Sequence, residues 1–113
     1  MHVSRICSDL VRIKSENPPG KTDEVIEYIR VFLDGIGIRS SVYGTGNGLD
    51  NLVAARKGGR LLFCGHVDVV PALDRAWTHP PFSGLIDESY VWGRCNRYER
   101  RVCGHPFRVP DHR

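Results

Sequence analysis

The sequence lacks any apolar run of about eighteen residues, the length that a membrane-spanning helix needs. Its first twenty residues also lack the apolar segment of a secretory signal peptide. These two absences argue against a membrane protein and predict a cytoplasmic one. The four cysteines, Cys7, Cys64, Cys95 and Cys103, are therefore expected to be free thiols. Internal repeats and low-complexity segments are also absent, so the 113 residues are expected to form at most one domain.

Positive charge is concentrated near the C-terminus. The net charge is +3, but residues 1–93 hold 10 Lys and Arg against 11 Asp and Glu. Residues 94–113 hold 6 Arg against 2 acidic residues. The composition therefore changes after Gly93, and the basic character belongs to the last twenty residues alone.

Hydrophobic periodicity predicts two amphipathic helices followed by strands with short links. The paired prolines in residues 15–20 end the first helix, and Thr22 is the predicted N-cap of the second. A run that is apolar on both faces predicts a central strand that needs cover on each side. The fold class is therefore predicted to be α/β, with helices flanking a mixed sheet. The predicted elements are helices at 4–14 and from Thr22 to Gly35 and strands at 38–44, 52–56, 60–70 and 84–93, where an Asp-Glu-Ser turn inside the last strand leaves a hairpin open.

The segment FCGHVDVVP, residues 63–71, places a histidine and an aspartate inside an apolar run. In a strand, residues two apart point to the same face, so His66 and Asp68 are predicted to be neighbours. One interpretation is a partly buried histidine that is hydrogen-bonded to its neighbour. The other is a metal ligand, His66, whose second ring nitrogen is held by the Asp68 carboxylate. Cys64 lies on the same face and is expected to be a small buried thiol rather than a third ligand.

Several motifs in order resemble one family. They are LVRIKSENPPG at 10–20, DNLVAARKG at 50–58, GHVDVVPA at 65–72, Trp77, and HPPFSGLIDESYVWGR at 79–94. This pattern resembles the di-zinc metallopeptidase family of aminoacylase, carboxypeptidase G, acetylornithine deacetylase and succinyl-diaminopimelate desuccinylase. The resemblance favours the ligand interpretation of His66.

The resemblance implies that the chain is the N-terminal part of a zinc-peptidase catalytic domain. In that family two zinc ions, replaceable by cobalt or manganese, share a bridging hydroxide and a bridging aspartate. His66 matches a ligand of one zinc, and Asp68 matches the catalytic-site acid that orients it. The implied reaction is hydrolysis of an N-acyl amide or peptide bond in a small N-acyl amino acid or peptide substrate. A homodimer is compatible with the intact enzyme, whereas membrane and nucleic-acid partners are not expected.

The pattern fails after Arg94. There the family continues Gly-Ala-Thr-Asp-Met-Lys-Gly-Gly, whose aspartate bridges the zincs, but this chain has CNRYERRV at 95–102, with Tyr98 in place of the aspartate. Codons for the family segment, read in a shifted frame, can encode residues 95–101. We therefore expect residues 1–94 to be a partial catalytic domain and residues 95–113 a frameshifted, non-native basic tail. With one secure ligand where a catalytic zinc needs three, the chain as written is predicted to be inactive.

Other functions remain open at this point. The arginines and tyrosine of residues 94–101 are typical of single-strand nucleic-acid binders. A small zinc module could be formed by Cys95, Cys103, His105 and His112, although this spacing fits no common zinc pattern. The chain could also be a non-enzymatic remnant or interaction stub.

Overall fold

The computed structural model of the chain describes residues 2–71, 77, 79–87, 90–93 and 107–108. Two helices and two small sheets are present in this part of the chain. The elements are α1 (Val3–Arg12), α2 (Asp23–Gly35), β1 (Ser40–Gly44), β2 (Asp50–Ala54), β3 (Leu85–Asp87), β4 (Tyr90–Trp92) and β5 (Phe107–Arg108). The predicted combination of helices and strands is confirmed. Among the described residues, no helix is long and apolar enough to cross a membrane.

Helix α2 and the β1–β2 hairpin form one packing unit. The hairpin is antiparallel, with Ser40 opposite Ala54 and Gly44 opposite Asp50, so residues 45–49 form the predicted turn. Helix α2 contacts both strands and buries Val25 and Ile26. The helix and both strands were predicted from the sequence, with bounds that differ by a few residues.

Thr22 occupies the predicted N-cap position of α2 but makes no capping hydrogen bond. Its hydroxyl instead donates to the carbonyl of Asp50 at 2.9 Å and accepts the backbone N–H of the same residue at 2.9 Å. Thr22 is buried, and these two bonds tie the start of α2 to the start of β2.

Helix α1 packs against the second sheet, in which β4 lies between β3 and β5 with both pairings antiparallel. Val91 of β4 is fully buried and lies in one cluster with Val11 and the partly buried Cys7. The Ser8 hydroxyl donates to the Gly84 carbonyl, and Arg12 Nε donates to the Ser83 carbonyl at 3.1 Å. The strand predicted at 84–93 is found as two strands, β3 and β4, which pair antiparallel, the alternative that its internal turn left open. Strand β5 comes from the segment that was expected to be non-native.

The predicted central strand at 60–70 is wrong for this chain. Among the described residues, this segment forms no strand ladder, and its one pairing is a parallel bridge between Glu16 and Val69. The described strands are all antiparallel, so the expected mixed sheet is not formed either. A strand that is apolar on both faces needs strands at its edges and layers on its faces. No other described segment covers the first part of the run, where Leu61, Leu62 and Phe63 are 75%, 85% and 88% exposed.

Candidate functional site

His66 and Asp68 are neighbours in the structure, as the sequence predicted, although they do not lie in a strand. The ring Nδ1 of His66 lies 2.9 Å from Oδ1 of Asp68. The two side chains are 64% and 33% exposed. This is the arrangement in which a carboxylate holds one ring nitrogen and thereby selects the tautomer that can bind a metal through the other.

The first loop of the chain holds the segment that carries this pair. Ser15 Oγ donates to the Val67 carbonyl at 2.6 Å, and the Val69 N–H donates to the Ser15 carbonyl at 2.9 Å. The Asn17 N–H donates to the Val69 carbonyl at 2.7 Å. Ser15 is buried, so the bonds it makes are largely protected from water. Residues 67–69 therefore have fixed partners even though no strand ladder reaches them.

Asn17 contacts Asp68 and was not predicted to do so, because the prolines beside it were interpreted only as the end of α1. Its amide Nδ2 donates to Oδ2 of Asp68 at 3.0 Å. The hydrogen bond from Asn17, followed by that with His66, holds the pKa of the Asp68 carboxyl below its ordinary value. The sequence signal that could have found Asn17 is a polar amide that directly precedes a proline pair, in a motif already singled out by the family resemblance.

A shallow open depression lies beside the pair. It is bounded by the start of α2, by β2 and by residues 65–68, and its volume is about 220 Å³. Pockets that enclose a drug-sized ligand hold at least about 300 Å³. The described residues therefore form an open depression beside the pair rather than an enclosed pocket.

The described residues do not complete a metal site. No group of three or more His, Cys, Asp or Glu side chains that could hold a metal occurs among them. Cys64, expected to be a small buried thiol, is exposed, because the segment around it lacks the cover that a central strand would have. The alternatives that involve the arginine-rich segment 94–101, and the zinc module proposed for Cys95, Cys103, His105 and His112, lie outside the described residues.

Comparison with known proteins gives consistent relatives, although no family model matches the chain. The chain is 35% identical over 96 residues to a succinyl-diaminopimelate desuccinylase of Methylobacterium radiotolerans. This alignment covers 80% of this chain and 24% of that protein. The chain is 38% identical over 94 residues to a succinyl-diaminopimelate desuccinylase of Cereibacter sphaeroides, covering 79% of this chain and 24% of that protein. A shorter match, 64% identical over 36 residues, is to a probable carboxypeptidase S-like 2 protein of Dictyostelium discoideum, covering 30% of this chain and 7% of that protein.

The chain thus spans about a quarter of the length of the desuccinylases it matches. The two desuccinylase matches each extend over about 80% of this chain. The chain therefore belongs to the metallopeptidase family of the aminoacylases, acetylornithine deacetylases, carboxypeptidases and succinyl-diaminopimelate desuccinylases.

Proposed function

We propose that the chain is part of the catalytic domain of a metal-dependent hydrolase that cleaves an N-acyl amide or peptide bond. The observation that carries the proposal is the His66 Nδ1 to Asp68 Oδ1 contact of 2.9 Å, in a chain whose relatives include desuccinylases. A carboxylate at one ring nitrogen is the usual partner of a histidine that binds a metal through the other nitrogen, and this supports a ligand role for His66.

A metal ion, zinc or a substitute such as cobalt or manganese, would be bound through Nε2 of His66. Such an ion lowers the pKa of bound water and polarises the substrate carbonyl. Asp68 would hold the proton of His66 on Nδ1 and make the imidazole a better donor. One imidazole with its orienting carboxylate fits one ligand position of such a site, but a catalytic zinc normally has three protein ligands. We infer that the other ligands and the general base belong to sequence that the longer relatives have and this chain does not match.

The substrate is proposed by class only. The names of the desuccinylase relatives point to an N-succinyl amino acid, and that of the carboxypeptidase S-like protein points to a peptide. Both are small molecules with an amide bond to hydrolyse, so the reaction is the same. The groups that distinguish the acyl chain are not assigned to residues of this chain.

We further propose that a shift of reading frame explains residues 95–113. The test is resequencing of the gene across codons 92–103 and several hundred bases downstream. A corrected frame that encodes Gly-Ala-Thr-Asp-Met-Lys-Gly-Gly after Arg94 and continues would support the proposal. If the frame stands as written, His66 and Asp68 are relics of a site, and the chain is a non-enzymatic remnant.

The protein from a corrected frame tests the reaction itself. We expect metal-dependent hydrolysis of N-succinyl-diaminopimelate or of a short peptide, and its loss in His66→Ala. Asp68→Ala should lower activity or metal affinity about 10- to 100-fold, the usual effect of removing the carboxylate behind a metal-bound histidine. His2→Ala, a histidine exposed before α1, is the matched control and should leave activity unchanged. Hydrolysis that persists in His66→Ala would contradict the proposed ligand.

The 113-residue chain as written should bind zinc negligibly, because one imidazole cannot replace three ligands. Isothermal titration calorimetry of the purified chain with zinc measures this directly. Tight binding with a stoichiometry of one or two ions per chain would show that the ligand set is complete without additional sequence, and would refute this part of the proposal.

A further inference from the structure

We infer that Asn17 is a positioning residue, which orients the carboxylate of Asp68 and thereby keeps the proton of His66 on Nδ1. The inference rests on the proposed function, in which Nε2 of His66 binds a metal. It assigns a role to the SENPPG segment at 15–20, which the sequence analysis interpreted only as a helix break and a family motif.

The two oxygens of Asp68 have different partners. Oδ1 lies 2.9 Å from Nδ1 of His66, and Oδ2 accepts a hydrogen bond from Nδ2 of Asn17 at 3.0 Å. The terminal torsion of an aspartate is broad, so a single contact leaves the carboxylate plane free to turn. Because Asp68 is a third exposed, water competes for both oxygens. A second donor on the opposite oxygen restrains the plane and keeps Oδ1 directed at the imidazole.

The backbone around Asn17 is itself fixed to the segment that carries Asp68. Its N–H donates to the carbonyl of Val69, and the N–H of Val69 donates to the carbonyl of Ser15. The hydroxyl of Ser15 donates to the carbonyl of Val67. These bonds are made by Val67 and Val69, the residues on either side of Asp68. They hold residues 15–17 alongside residues 67–69, and the Asn17 amide therefore lies beside the Asp68 carboxylate.

Gly20 leaves the space that the Asn17 side chain occupies. Its N–H donates to the Glu16 carbonyl at 2.7 Å, which closes the turn, and its φ is +75°. A Cβ at this position would lie 3.1 Å from Cγ and 3.3 Å from Oδ1 of Asn17. The backbone conformation favours glycine here, and any larger residue would press on the Asn17 amide and shift it.

The hydrogen bond on one ring nitrogen determines which tautomer a histidine adopts. With Nδ1–H donating to Asp68, the proton is absent from Nε2, and this is the tautomer that can bind a metal through Nε2. If the Asp68 carboxylate turns away from Nδ1, the proton can move to Nε2. A protonated Nε2 has no lone pair with which to bind a metal. Asn17 therefore acts on the metal-binding atom through Asp68, without contacting a metal or substrate.

The test measures the ring ¹⁵N chemical shifts of His66 by NMR in the metal-free, full 113-residue chain, at an alkaline pH where imidazole rings are neutral. Asn17→Ala removes the donor, and Asn17→Asp removes it while keeping the size of the side chain. Asp68→Ala gives the shifts of the unrestrained ring. Asn47→Asp is the matched control, because it makes the same chemical change in the exposed turn before β2. The amide shift of Val69 reports whether the pairing with residues 15–17 is retained.

We expect a predominance of the Nδ1–H tautomer in the unmodified chain and in Asn47→Asp. In both Asn17 variants that predominance should be lost and the shifts should approach those of Asp68→Ala. If Asn17→Ala also loses the Val69 pairing, Asn17→Asp decides the question. Asn17 variants with unchanged His66 shifts would overturn the inference, as would an unmodified chain whose shifts equal those of Asp68→Ala.

This experiment is independent of the hydrolase proposal, because it needs neither metal nor substrate. A tautomer shift in the Asn17 variants, together with no hydrolysis by a frame-corrected protein, would retain the positioning role and reject the hydrolase. Hydrolysis together with an unchanged tautomer would reject the positioning role alone.

Discussion

At the scale of single residues, one hydrogen bond joins the two helices. The hydroxyl of Tyr28 in α2 donates to Oδ2 of Asp9 in α1 at 3.0 Å. Partial burial, and then the neighbouring Asp9 carboxylate, hold the pKa of Tyr28 above its ordinary value. The neutral phenol is therefore favoured in the folded chain. The neutral phenol of Tyr28 stabilises the folded chain fully at pH values below about 10, the pKa of tyrosine in the unfolded chain. This stabilisation is lost as the pH rises through the higher pKa that Tyr28 has in the folded chain.

We predict that Tyr28→Phe lowers the free energy of unfolding by about 1 kcal/mol at neutral pH, the usual worth of one such bond. The difference between variant and parent should shrink above about pH 10, where the tyrosine of the parent begins to ionise. Urea unfolding at several pH values measures both effects. Tyr43→Phe in β1 is the control, since that side chain is 61% exposed, and it should change stability little. If the loss of unfolding free energy in Tyr28→Phe stayed constant up to strongly alkaline pH, the hydrogen bond from the neutral Tyr28 hydroxyl to Asp9 would not be its cause.

At the scale of elements, the approach of α1 to the second sheet depends on a glycine. Gly84 has φ +58°, and a Cβ there would lie 2.6 Å from the carbonyl oxygen of Ser8 and 2.9 Å from its hydroxyl. Gly37, after α2, has a similar φ of +77°, but a Cβ there would meet nothing within 4 Å. The two glycines share the backbone constraint and differ in the space beside them.

We predict that Gly84→Ala destabilises the chain more than Gly37→Ala. Each should cost about 1 kcal/mol for the left-handed backbone. Gly84→Ala should cost about 1 to 3 kcal/mol more, because α1 and β3 must separate to admit the methyl group. Chemical denaturation of both variants under the same conditions gives the comparison. Equal losses would mean that the close packing of α1 on Gly84 contributes nothing measurable.

The elements also show what the sequence can and cannot predict. Both helices and the strand segments of β1 to β4 depend on patterns within a few residues, and all were predicted as helix or strand. The strand expected at 60–70 was not formed, because pairing depends on neighbours that the local pattern does not contain. The His66–Asp68 pair was predictable from a separation of two residues. The Asn17–Asp68 bond spans 51 residues, and only the folded register brings these partners together.

At the scale of the whole molecule, apolar surface is left uncovered. Among the described residues, the buried hydrophobic side chains are only Val11, Val25, Ile26 and Val91. The adjacent residues 61–63, by contrast, are each at least 75% exposed. Contiguous apolar surface of this kind favours association between molecules.

We predict that the 113-residue chain self-associates in solution and binds the dye ANS, and that Leu61→Lys with Phe63→Lys reduces both. The two lysines place charge within the exposed residues 61–63 and so oppose their association with other molecules. Added charge alone also improves solubility, so the control is Val31→Lys with Tyr43→Lys. Those residues are 55% and 61% exposed but lie apart, in α2 and β1. Light scattering and sedimentation over a concentration series compare the two variants. If both pairs of lysines reduce association equally, net charge rather than residues 61–63 governs it.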